Sequence, residues 1–352
     1  KERATSHRVL ACLSPPSPIL LRSYQNPRRV SFRAASMGTL VGHVVPGFAF
    51  LVIGLWHLYN HIKLHCQRPK SYAPPTWFPA PKVRHLELYI ILFGSSTYLV
   101  TELFVGPSSH HHPLDPADWS IPTSHLHNFE HSTLTLNFLV YAAFTLHFDR
   151  VRPRAGQMMS LLLGSMVFAV ELLMFYLHST DHVGLEWQYH WLLQVVISVS
   201  LATTVLGIGY PRSFAVGFAR SVSVVLHGVW FKVLGVMLYS PRFIPKGCSL
   251  ENHEGFLVVP CDGDASLHRA KSLANLQFAW SLVAVAIFSV WFYLHLAKKY
   301  PEVPEYECLG KVDGHVEDEL PESPKKKVEE KDVKSGGFLP MGKWLQPMDL
   351  EM

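Results

Sequence analysis

Residues 171–178, E-L-L-M-F-Y-L-H, close an apolar run, 157–178, that is long enough to cross a bilayer core of about 30 Å. Seven residues turn a helix through about 700°, so Glu171 and His178 share one face while Leu172, Leu173 and Leu177 cover the others. Ionisable side chains at membrane depth cost about 2.5–3.5 kcal/mol each on insertion scales, so they face a bundle interior and find partners there. The same two residues lie about 10.5 Å apart along the axis, too far to ligate one ion together.

Apolar windows of similar length recur at 41–60, 86–105, 128–148, 187–209, 214–239 and 273–297. With a hydrophobic fraction of 49%, they predict an all-α membrane protein, a seven-transmembrane helix bundle. Pro46 falls near the predicted start of the first helix, where a missing N–H costs little. Lys and Arg alternate between the connections. Lys63, Arg68, Lys70, Lys82 and Arg84 occupy 61–85, whereas 106–127 has none; Arg150, Arg152 and Arg154 follow the third window, and the next connection again has none. Arg212 and the pair Lys298 and Lys299 continue the pattern, which puts the N-terminus outside and the C-terminus in the cytosol. The connection 240–272 departs from it with Arg242, Lys246, Arg269 and Lys271, but it is long and contains acids. On the outer side its Cys248 and Cys261 are able to bridge; Cys12, Cys66 and Cys308 lie far apart in charged segments and are expected to be unpaired.

The core domain is thus 37–299. Residues 1–36, with seven Lys or Arg against one Glu, read as a basic leader or an upstream non-native extension ahead of Met37. A strongly basic segment at an outer end would oppose the charge pattern, which favours its absence or removal. Residues 300–352, with P-K-K-K-V-E-E-K-D-V-K at 324–334, cannot bury a core and read as a disordered charged cytosolic tail. The net charge of +4 is no nucleic-acid signal, because the cations cluster between apolar windows. The bilayer is the expected partner, with a small ion or lipid as ligand.

Histidine, at 21 copies, is in excess. The predicted orientation places His43, Glu102, Glu130, His131, Glu171, His178, His190, His227, Lys232 and Asn275 in the outer half, and Glu87, His57, His61, His147, Arg220 and His295 near the inner boundary. His127, Glu130 and His131 form an i, i+3, i+4 set, and the second connection adds His110, His111 and His112. Imidazole and carboxylate are the usual donors for a divalent metal such as zinc. The candidate metal ligands are His43, His131, His178, His190 and His227, with Glu130 and Glu171 as general base or proton relay. His178 is expected to join His131 and His190 in a multi-helix cluster, and Glu171, lying deeper, to pair with His227 or another inward polar group. Against this stands a structural reading in which each group is an interhelical hydrogen-bond partner. Glu87, following Arg84 and His85, is most simply a boundary charge paired with a neighbour. No Walker sequence, phosphate-binding glycine fingerprint, serine elbow or H-E-x-x-H pattern occurs, so any metal site has to be assembled from several helices. D-R-Y and N-P-x-x-Y are also absent from the third and seventh windows, which disfavours a G-protein-coupled receptor.

G-H-V-V-P-G at 42–47, L-E-L at 86–88, E-H-S-T at 130–133, E-L-L-M-F-Y-L-H at 171–178, H-W-L-L at 190–193, H-G-V-W-F at 227–231 and A-N-L-Q-F at 274–278 occur in this order. In them the chain resembles the transmembrane protein 45 family, in its plant form. The resemblance implies a seven-span protein of the endomembrane system or plasma membrane, and implies little about activity. It carries over onto His43, Glu87, Glu130, His131, Glu171, His178, His190 and Asn275. His227 departs from it, since animal members have Gln there. Three activities therefore stand open: a metal-dependent membrane enzyme, a metal or proton transporter, and a non-catalytic scaffold or receptor.

Overall fold

The computed structural model describes residues 40–105, 112–179, 184–253 and 256–303. The leader, His110, His111, His182 and the tail beyond residue 303 lie outside these, as does the side chain of His178. Among the described residues the chain forms seven long helices: α1 (Leu40–Gln67), α2 (Leu86–Val100), α3 (Leu126–Val151), α4 (Gly156–Ser179), α5 (Leu185–Gly209), α6 (Phe214–Tyr239) and α7 (Gly263–Lys299). A five-residue π turn, Thr101–Val105, continues α2.

Six of the seven are long and apolar enough to cross a membrane, and the fold is that of an all-α integral membrane protein. The helix that does not meet the measure is α3, whose length is ample at 26 residues but whose first turns carry His127, Asn128, Glu130 and His131. Two helices outrun their apolar windows. α1 continues through H-I-K-L-H-C-Q to Gln67, and α7 begins ten residues before the predicted 273, with Asp264 in its first turn where the helix dipole favours an acid. Arg269 and Lys271 therefore belong to a helix rather than to a connection, which leaves Arg242 and Lys246 as the basic residues of that loop. The loop carries a two-stranded antiparallel hairpin, β1 (Glu251–His253) with β2 (Phe256–Val258), closed at its base by the Cys248–Cys261 disulfide. Cys66 is free.

Helix order around the bundle follows from the packing. α2 packs on α3, α3 on α4, α4 on α5, α5 on α6 and α6 on α1, with α7 laid outside against α1, α5 and α6. The interface between α1 and α6 is the tightest, because glycines face backbone there. A Cβ on Gly54 would stand 2.7 Å from the Val225 amide nitrogen, and one on Gly228 would stand 2.6 Å from the Gly47 carbonyl. Such close approach between helices is available only to very small residues, and without a hydrophobic force between helices in lipid it is what van der Waals packing works through. α6 is consequently buried nearly all round, with Leu226, His227, Trp230, Phe231, Leu234 and Leu238 inside. The outward surface is apolar: Trp280, Ile287, Val290 and Trp291 on α7 and Phe93 on α2 are exposed, as a lipid-facing coat requires.

Candidate functional site

The chain of helix contacts runs from α2 round to α1 but is not closed by an extended α1–α2 interface. Polar bridges hold these two helices together at both ends. At the end that carries the disulfide, the Tyr98 hydroxyl donates to the Gly42 carbonyl at 3.5 Å. That carbonyl cannot receive the usual bond from residue 46, because Pro46 lies inside α1 rather than at its start and has no N–H. At the opposite, basic end, Trp56 Nε1 donates to the Phe78 carbonyl at 3.3 Å and His57 Nε2 meets Glu87 Oε1 at 2.7 Å.

Between the bridges lies an apolar cavity of about 180 Å³, lined by α1 (Pro46, Ala49, Phe50), α2 (Ile91, Gly94, Ser95) and the inner faces of α3, α4 and α6. Gly94 has nothing within 4 Å of where a Cβ would sit, so the cleft is open beside it. A second cavity of about 120 Å³ lies toward the basic end and shares Phe50, Ile53, Ile91 and Phe138 as lining.

Glu171 lies at the wall of the first cavity. Its place follows from the phase of α4, in which Ser160, Val167, Glu171 and Phe175 fall on one buried face. Across from it, on α6, His227 is held in a ring stack, 4.1 Å from Phe50 and 5.3 Å from Phe231, with interplanar angles of 9° and 6°. His227 Nε2 stands 3.3 Å from Glu171 Oε1, with side-chain exposures of 0% and 4%. The approach is not aligned as a hydrogen bond, and neither His227 ring nitrogen nor Glu171 Oε2 makes one within the described structure. This is an acid and an imidazole, buried and not hydrogen-bonded to each other, on the wall of an apolar cavity.

The other candidates do not converge on that pair. His43 and His190 form a separate group, with ring centroids 6.1 Å apart; His43 stacks on Tyr239 at 5.0 Å, and the Tyr239 hydroxyl donates to Glu186 Oε1 at 3.0 Å. His131 belongs to a third group, its Nδ1 3.8 Å from Glu102 Oε2, which also accepts from Asn128 Nδ2 at 2.8 Å. The π turn places Glu102 there, fully buried between α2 and α3. Glu130, by contrast, is 41% exposed beside His127. Of the expected cluster, His131 stands beside Glu102 while His190 packs against His43 and Phe175; the third expected member, His178, has its side chain outside the described residues. Among the described residues, no three His, Cys, Asp or Glu side chains are placed to hold one metal ion. Glu87 pairs with neither Arg84 nor His85 but turns inward to His57 and to the Phe78 amide (3.1 Å), while Arg84 and His85 both bind Asp149.

Residues 157–294, from α4 through most of α7, match the model of a family of unknown function, DUF716. The matched segment contains Glu171, His190 and His227.

Proposed function

We propose that this chain is a multi-pass membrane protein of the transmembrane protein 45 type that draws an apolar chain from the bilayer into the cleft between α1 and α2. The observation that carries this reading is the cavity of about 180 Å³, apolar on nearly all sides, with the underused Glu171–His227 pair at its wall. Binding sites of this kind are concave and mostly apolar, with a few polar groups that fix orientation. The glycine-tight α1–α6 contact fixes one side of the cleft, and the two polar bridges define its length. In this reading α3 is a seventh span whose polar turns lie at the outer boundary. The N-terminus is outside and the C-terminus cytosolic, and the Cys248–Cys261 disulfide supports an oxidising compartment for its loop.

The test is photo-cross-linking of the full-length chain in lipid nanodiscs with a diazirine-bearing acyl lipid, mapped by peptide mass spectrometry. Labelling is expected on the buried lining residues Ser95, Leu134 and Glu171, as well as on the lipid-facing α7 residues. Labelling confined to α7 and the other outward faces would refute the reading. A divalent ion held by some of His43, His131, His178, His190 and His227 is the alternative occupant; elemental analysis of the purified chain decides it, with about one bound ion per chain required.

A further inference from the structure

The second cavity contains a cation that makes no ion pair among the described residues. Arg220, on α6, lines the 120 Å³ cavity and also a narrow crevice at the basic end beside Pro74, Gln157 and Tyr210. Its guanidinium lies against Gly207, where a Cβ would be 3.1 Å from Nη1. Among the described residues the guanidinium makes no hydrogen bond and no ion pair; the nearby groups that act on its charge are Tyr141, Tyr72 and Glu87. Glu87, the one acid of the three, is already engaged by His57 Nε2 and by the Phe78 amide. An arginine presents five donors in a fixed fork that suits a carboxylate or phosphate, and a half-buried one is costly to leave unmatched.

Its position on α6 adds a direction. Arg220 and His227 are seven residues apart, on one face and about 10.5 Å from each other along the axis. The apolar residues Phe50, Ile53, Ile91 and Phe138 line both cavities between these levels. The fork for an anion and the Glu171–His227 pair therefore lie at two levels of one α6 face, beside cavities whose shared walls are apolar.

We infer that the ligand is a single-chain amphiphile with an anionic head. The head, a carboxylate or a phosphate monoester, is bound by Arg220 at the basic end, and the chain runs past Phe50 and Phe138 toward Glu171. This rests on the cleft reading proposed above and specifies its ligand class. Thr76 and Ser160, which line the same cavity, supply hydroxyl groups around the head. Glu87 lines the same cavity, with its two carboxylate oxygens engaged by His57 Nε2 and the Phe78 amide.

The experiment is equilibrium binding of radiolabelled palmitic acid to the full-length chain in detergent, with competition by palmitoyl lysophosphatidic acid and by 1-hexadecanol. The acids are expected to compete at least about tenfold better than the alcohol, as a charge-assisted fork contact would give. Arg220→Gln should abolish that preference while leaving hexadecanol affinity unchanged, and Arg220→Lys should keep part of it. Which acid competes better identifies the head as carboxylate or phosphate. Equal competition by acid and alcohol on the wild-type chain overturns the inference without needing any variant, as does an acid preference that persists in a folded Arg220→Gln. The failure of the cleft reading looks different: neither acid nor alcohol binds saturably, or both bind undiminished after Gly94→Trp fills the cleft.

Discussion

Removing the Glu171–His227 pair from both sides should cost the resting protein little. The pair is buried, with exposures of 0% and 4%, yet its 3.3 Å approach is not hydrogen-bonded, and among the described residues Glu171 Oε2 and His227 Nδ1 make no hydrogen bond. Buried polar groups kept in that condition contribute little to stability, because desolvation offsets their attraction. Glu171→Leu alone leaves the imidazole without its neighbour, at a cost of about 1–3 kcal/mol. His227→Leu alone leaves a buried carboxylate and costs about 3–5 kcal/mol if that group stays charged. The double variant removes both orphans. What remains is the lost ring stacking on Phe50 and Phe231, about 0.5–1.5 kcal/mol. The double variant is therefore expected within about 1.5 kcal/mol of the wild type, and more stable than His227→Leu. The assay is a double-mutant cycle of unfolding in mixed micelles, read from a tryptophan signal. Polar pairs in membranes couple by about 0.6 kcal/mol on average and about 1.7 at most. A double variant more than about 3 kcal/mol below wild type would refute the reasoning, since the pair would then be a structural anchor rather than a group held ready for a ligand.

The helix interface sets further outcomes. Gly228→Ala drives a methyl into the Gly47 carbonyl and the Leu51 amide, so at least about 2 kcal/mol is lost and size-exclusion chromatography in detergent should show aggregation, whereas Gly94→Ala, with nothing within 4 Å, should elute as wild type. Cys248 and Cys261 should resist maleimide labelling from either side of a sealed vesicle until a reductant is added, and Cys66 should label only from the face opposite that loop; labelling of Cys66 and of reduced Cys248 from one side contradicts the proposed orientation. At the basic end, partial burial pushes the Asp149 carboxyl up, but its bonds to His85 and Arg84 outweigh this and hold it below the ordinary range. A depressed folded value stabilises the fold above the unfolded value of about 3.9 and is lost as pH falls through the folded one, so the gap in melting temperature between wild type and Asp149→Asn should close in strong acid. A gap that widens on acidification contradicts that assignment.

The helices were legible in the sequence because lipid demands apolar runs of one length, and six such runs meet that demand in the structure. Their ends were not, because polar segments such as H-I-K-L-H-C-Q and D-A-S-L-H-R-A-K extend a helix once it has left the apolar layer. The partner of Glu171 was legible for a related reason, since few inward ionisable groups lie at its depth and His227 is one of them. The association of His131 with Glu102 was hidden, because it depends on a π turn that no apolar periodicity signals. The cleft was hidden as well. Whether α1 closes on α2 is decided by where α1 is drawn to α6, through glycines some 180 residues apart in the chain, such as Gly47 and Gly228. Arg220 looked like a boundary cation in G-F-A-R-S-V; only the surrounding structure shows that Glu87, the acid acting on it, is bound by His57 and the Phe78 amide instead of pairing with it.

Native mass spectrometry of the full-length chain, released from micelles with its bound lipid, tests the central claim most directly. The account predicts one retained single-chain lipid on the wild type and its loss in Gly94→Trp, whose new ring occupies the opening between α1 and α2. Wild-type chain that carries no lipid, or lipid retained equally by Gly94→Trp, would contradict it.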